Sequence, residues 1–355
     1  MADITLQNVT KRFGTTTAID QVSFSISDGE FFVLLGPSGA GKTTTLRLIA
    51  GLEKQDAGSV LFNGEVVDTL APPERDIAFV FQQYSLYPTM SVYDNMAFPL
   101  RSPLRRTPEP EVKRRIEDVA QKLRIGHLLA RKTARLSGGE MQRVSIGRAI
   151  VRDPQIFLMD EPLSNLDAKL RESLRIELEH IQKTRGSTTL YVTHDQIEAL
   201  TMADRIAVLD HGRVIQIGTP HDIYDRPATT FVAQLVGTPR INLLEATRSD
   251  GALQIADSPI TLPLPDSRAA FPAALKLGVR PEDVTIRADG PFAGVVALVE
   301  PLGAETVMHI QAGKRMLTST VPGIVSRPIG SLVQFDIARE RLHYFAADGA
   351  RVATQ

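Results

Sequence analysis

Residues Gly36-Pro37-Ser38-Gly39-Ala40-Gly41-Lys42-Thr43, followed by Thr44, match the spacing G-x-x-x-x-G-K-[ST]. The glycines let successive backbone N–H groups converge on phosphate oxygens. Lys42 supplies a mobile positive charge, and Thr43 offers a hydroxyl to magnesium. The pattern lies between an apolar run, 31–35, and a helical pattern carrying Leu46 and Ile49. That is the strand-to-helix setting a phosphate loop requires; a glycine-rich turn without a ligand is the lesser reading. The chemistry implied is binding and hydrolysis of a nucleoside triphosphate.

A second apolar run, 156–159, ends in Asp160 and Glu161. Carboxylates at the end of such a strand lie on the sheet edge where ligands of open α/β folds bind. Asp160 then helps to hold magnesium, and Glu161 polarises the attacking water. Acidic residues also cap helices, and without the phosphate loop that structural role would be preferred. Leu136-Ser137-Gly138-Gly139-Glu140 opens a helix expected to reach Val151. Serine followed three residues later by glutamate is a capping box. The two glycines go beyond capping, because they bare backbone N–H groups and create a second anion site.

These groups need a framework. Across 1–235, short apolar runs at 31–35, 77–81, 156–159, 190–192 and 206–209 alternate with helical patterns, which predicts crossover units and a mainly parallel sheet. Val112, Ile116, Val119 and Leu123 share one helical face, as do Leu170, Leu174, Leu178 and Ile181. A Pro- and Arg-rich stretch at 100–111 breaks the alternation and marks an inserted helical subdomain at about 84–150. Beyond Gly237, strand patterns such as 295–299 and 307–310 recur between turn clusters, so 236–355 is expected to be a small all-β domain.

Bulk properties limit the partners. At 355 residues, two domains are expected. Forty basic and 41 acidic side chains nearly cancel, so no overall field draws the chain to nucleic acid or an anionic membrane. The sequence contains no cysteine, which excludes disulfides, thiolate metal sites and a cysteine nucleophile. Residues 1–10 lack the pattern of a secretory signal, and no apolar run approaches the roughly 20 residues that span a bilayer as a helix. Any membrane role is expected to be peripheral.

Together, 36–43 and 136–140 make the chain resemble an ATP-binding-cassette (ABC) ATPase over Ile4 to about Leu235. The resemblance implies a P-loop NTPase fold with the helical insertion and ATP and Mg2+ as ligands. It assigns nucleotide contacts to Gly36 through Thr44, Phe13, Gln82, Ser137 through Glu140 and Asp167, and magnesium contacts to Thr43, Gln82 and Asp160. Gln82 matches the glutamine that senses magnesium and meets the membrane subunits. Ser164-Asn165-Leu166-Asp167 matches the loop linking opposed sites in a dimer, and His194 the histidine at the γ-phosphate. Glu161 and His194 are the implied catalytic residues.

Two positions depart from the common pattern. Phe13 stands where tyrosine usually stacks on adenine, and keeps the aromatic face; a core position at the strand end is the alternative. Glu140 stands where glutamine is commonest, adding negative charge near an incoming phosphate. Beyond the cassette, 278–284 and 300–305 resemble the regulatory, OB-like β-barrel of maltose-type importer ATPases. Oligonucleotide binding by that barrel is not expected, since it lacks a basic, aromatic groove. The resemblance implies a homodimer on the cytoplasmic face of the inner (plasma) membrane, under two transmembrane permease subunits, with an extracytoplasmic solute-binding protein. Leu86, Tyr87 and Met90, within 84–95, suit either the permease-facing groove or internal packing. The expected solute is a sugar or sugar derivative: an oligosaccharide, sugar alcohol, glycerol phosphate or sulfonated sugar. A polyamine, iron or other non-sugar solute is the alternative, ahead of a soluble non-transport role.

Overall fold

Five consecutive apolar residues, Phe31–Leu35, are all buried, as a strand covered on both faces requires. A computed structural model describes residues 2–103, 106–249, 251–264 and 271–352. Leu104 and Arg105, within the Pro- and Arg-rich stretch, lie outside the described residues. The chain divides into two compact units, Met1–Pro220 and His221–Gln355.

In chain order the first unit runs β1 (Ile4–Phe13), β2 (Thr16–Ile26), β3 (Phe31–Leu35), α1 (Lys42–Ile49), β4 (Ala57–Phe62), β5 (Glu65–Val66), β6 (Ile77–Val80), α2 (Val92–Ala97), α3 (Glu109–Lys122), α4 (Gly138–Ile150), β7 (Ile156–Asp160), α5 (Ala168–Arg185), β8 (Thr188–Thr193), α6 (Gln196–Met202), β9 (Arg205–Asp210) and β10 (Arg213–Gly218). One sheet has the order β10-β9-β3-β8-β7-β6. Its neighbours are parallel except β9 and β10. Leu35 pairs with Thr193 and Asp160 with Val192, so the chain leaves β3, β7 and β8 side by side at one edge. This register, more than any single contact, gathers residues 36–43, 160–161 and 194.

The first strands differ from the parallel arrangement predicted across 1–235. β2, β1, β4 and β5 form a separate antiparallel sheet. Bulges in the β1–β2 ladder interrupt its alternation, which obscures the hairpin in the sequence. Both sheets and α1 share one core, with Leu46, Leu48 and Ile49 fully buried and Phe24 stacked on Phe32 at 5.2 Å.

Helices α2, α3 and α4, which lie between β6 and β7 in chain order, pack against one another. Val112, Ile116, Val119 and Leu123 are buried, as their shared face predicts. Gly147 lets α4 approach closely: a Cβ there would stand 3.2 Å from both Met96 and Leu123. Among the described residues, no helix is long and apolar enough to cross a membrane.

The second unit is all-β apart from short helical turns and the helices Pro220–Asp225 and Thr230–Leu235 near its start. Its strands form two five-stranded antiparallel sheets around a common core that includes Leu277, Val296 and Phe335. The buried Arg280 guanidinium donates to the carbonyls of Tyr224, Ala233 and Val236 and lies 4.0 Å over the Tyr224 ring. These bonds tie both short helices to the strands that follow.

Beside Arg280, Asp283 is 4% exposed and its Oδ2 has no hydrogen bond. Burial pushes its carboxyl from the ordinary 3.8 up to about 6, despite Arg341 Nε at 3.1 Å from Oδ1. Between those values the folded chain keeps a proton that the unfolded chain has released. Stability from this group is therefore greatest at low pH and declines as pH rises to about 6. Asp283→Asn should then raise unfolding stability by about 1–3 kcal/mol at pH 7.5 and by less at pH 5. Urea unfolding at the two pH values checks this; a variant less stable at pH 7.5 contradicts it.

Candidate functional site

Two glycines of the loop after β3, Gly36 and Gly41, are hemmed in by backbone atoms where a Cβ would go. A Cβ on Gly36 would stand 2.3 Å from the Leu209 carbonyl oxygen. Gly41 caps α1 in the left-handed region, φ 103°, and no side chain caps the helix start. The N–H groups of α1 are thus open to an anion. Lys42, 5% exposed, turns back over the loop and donates to the carbonyls of Gly36 (2.8 Å) and Pro37 (3.0 Å). Burial lowers its pKa, opposed by Glu161 at 3.7 Å and by Asp160.

Asp160, the last residue of β7, is buried and accepts from the Thr43 hydroxyl at 3.0 Å. Burial raises its pKa, and the Thr43 bond works against that rise. Next in the chain, Glu161 has φ 42°, so its carboxylate turns out of the strand line. Gln82 Nε2 donates to its Oε2 at 3.3 Å, and His194 Nδ1 stands 3.1 Å from the same oxygen. Lys42, Thr43, Gln82, Asp160, Glu161 and His194 are therefore one connected cluster.

The cluster offers a cationic phosphate contact and a carboxylate set to accept a proton from water. It also sets the Thr43 hydroxyl against an Asp160 carboxylate oxygen at 3.0 Å, hard oxygen donors that fit magnesium. Among the described residues, no three His, Cys, Asp or Glu side chains gather as a closed metal site.

The residues at 137–140 belong to a second cluster. Ser137 caps α4, and the box is complete: Glu140 N donates to Ser137 Oγ (3.3 Å) and Ser137 N to Glu140 Oε2 (2.8 Å). Ser137, Gly138, Gly139 and Glu140 line a cavity of about 450 Å3 with Asn165 and Asp167. A Cβ on Gly139 would stand 2.2 Å from Leu170 Cδ2, so the end of that leucine would have to move to admit a side chain. Asp167 caps α5 through Leu170 N. Asn165 joins the clusters by donating to the Gln82 carbonyl at 3.3 Å.

Phe13 ends β1 with 47% of its surface exposed and Lys11 5.1 Å over the ring, so it is not a core residue. Leu86 and Met90 are half-buried. Tyr87 is exposed; its ring packs on Phe98 at 4.7 Å and lines a groove of about 300 Å3 with Phe81 and Arg148.

The support of His194 was not legible in the motifs. Buried Glu198 accepts from Tyr191 (2.9 Å) and Thr193 (2.7 Å), while Thr193 Oγ1 accepts from Asp195 N. Asp195 caps α6. This clamp fixes the turn carrying His194, and Asp195 followed three residues later by Glu198 was the available signal.

A family model described as ABC transporter matches residues 19–164, and one described as TOBE domain matches 277–345. The sn-glycerol-3-phosphate import ATP-binding protein UgpC of Psychromonas ingrahamii is 45% identical over 361 residues, covering 99% of this chain and 95% of that protein. The trehalose/maltose import ATP-binding protein MalK of Thermococcus litoralis is 47% identical over 334 residues, covering 88% and 89%. A solved dimeric ATP-binding cassette, in a post-hydrolysis state bound to ADP and Pi, shares 32% identity and a TM-score of 0.56 over 61% of this chain and 98% of that one.

Proposed function

Because the chain belongs to the ATP-binding-cassette transporter family, as an ATPase with a C-terminal all-β unit, we propose that it couples magnesium-dependent ATP hydrolysis to uptake of a sugar or sugar derivative. The observation that carries this reading is likeness across both units to import proteins named for glycerol phosphate and for trehalose and maltose.

In this reading Gly36 through Thr44 hold the ATP phosphates, with Lys42 as their cation and Phe13 against the base. Thr43, Asp160 and Gln82 hold magnesium, which neutralises charge on the phosphates when bound. Glu161 takes the proton of the attacking water, and His194, 3.1 Å from Glu161, contacts the terminal phosphate. Two copies face each other, so that Ser137 through Glu140 and Asp167 of one complete the site of the other. The dimer lies on the cytoplasmic face of the membrane beneath two permease subunits, fed by an extracytoplasmic binding protein. The groove at Tyr87 and Phe98 receives a permease segment.

The test is ATPase activity of the assembled transporter in the presence of its binding protein and candidate solutes. Stimulation by a sugar, sugar alcohol or glycerol phosphate is the expected result. Stimulation confined to a polyamine or a metal complex overturns the solute class.

A further inference from the structure

Glu140 puts a carboxylate at a helix start that, on the reading above, must face a phosphate. Its two oxygens have different partners. Oε2 accepts from Ser137 N at 2.8 Å, whereas Oε1 stands 3.9 Å from Arg131 Nη1. The backbone that carries Arg131 is fixed at both ends. Its N–H donates to Leu128 O (2.8 Å), and its carbonyl accepts from Val92 N, the first residue of α2, at 2.9 Å. The cap bond from Ser137 holds the Glu140 carboxyl below the usual range, with smaller help from Arg131 and His127. Glu140 is therefore an ionised group on the wall of the cavity that also contains Gly138 and Gly139.

We propose that Arg131 is a positioning residue of the composite ATP site, supplying the counter-charge that holds Glu140 in its cap and cancels its repulsion of a phosphate. A glutamine at 140 would need no such partner. With Arg131 present, the charge of this helix start toward an incoming anion is close to that of a neutral cap. An exposed pair of this kind is weak in water, but closure of a partner over the cavity would desolvate it and increase its effect.

This inference rests on the composite-site reading, and the experiment separates the two. In the full-length Glu161→Gln background, ATP-dependent dimerisation is followed by sedimentation across an ATP titration. Arg131→Ala should raise the half-saturating ATP concentration about threefold, and Glu140→Gln should lower it by a similar factor. The double variant Arg131→Ala/Glu140→Gln should return to the parent value, and Arg131→Lys should remain near it. High salt should shrink both single effects. A purely structural role for Arg131 would instead leave its loss unchanged by high salt and unrescued in Arg131→Lys. That result, or no effect of Arg131→Ala, overturns the assignment. A parent that fails to dimerise with ATP overturns the composite site itself.

Discussion

Glu161→Gln is expected to bind ATP as the parent chain does and to hydrolyse it about 100- to 10,000-fold more slowly, the range for loss of a general base. The substitution keeps size and shape. An amide oxygen at 161 can still accept from Gln82 Nε2, now at 3.3 Å, and the backbone carries the same φ of 42°. What disappears is a carboxylate able to take a proton, together with the negative charge 3.7 Å from Lys42 and 3.1 Å from His194. Removing that charge leaves the phosphate-binding cation unopposed on one side, so ATP affinity should hold or rise. Steady-state phosphate release and binding of a fluorescent ATP analogue are the two measurements. Turnover within twofold of the parent would remove Glu161 from its role.

Lys42→Ala should fail in the opposite way, with ATP affinity falling about 10- to 100-fold, as expected for loss of a charged hydrogen-bond donor. The side chain is buried and its ammonium ties the Gly36 and Pro37 carbonyls. Its removal therefore takes away both the phosphate's cation and an internal brace of the loop. Lys42→Arg should not restore binding, because a planar guanidinium does not fit a space made for a compact ammonium. Calorimetric titration with ATP gives the affinity, and a melting temperature near the parent's confirms that the fold survives. Unchanged affinity in Lys42→Ala would show that the loop does not hold phosphate through this residue.

The parts of the site that could be read in advance follow local rules. The phosphate loop, the strand ending in Asp160 and Glu161, and the cap at Ser137 each join a short spacing to an adjacent element, and each is found in its expected setting. Buried faces at Val112, Ile116 and Val119 were equally accessible, because helical periodicity is a local signal. The remainder depends on contacts distant in sequence. Arg280 reaches back to the carbonyls of Tyr224, Ala233 and Val236, and no local pattern announces those bonds. Arg131 meets Glu140 through a turn anchored on α2, without periodicity to reveal it. The antiparallel sheet of the first strands was hidden for a related reason: its ladder is bulged, and β4 pairs with β1 across the whole β3–α1 unit.

The left-handed backbone at Glu161 has a consequence for anyone engineering this chain. A non-glycine residue at φ 42° carries a conformational penalty of about 1–2 kcal/mol, which glycine escapes and asparagine reduces. Selection for heat resistance alone therefore pulls this position away from a carboxylate. The same substitution that makes the protein more robust would leave it unable to do work, so thermal tolerance and turnover must be scored together at residue 161.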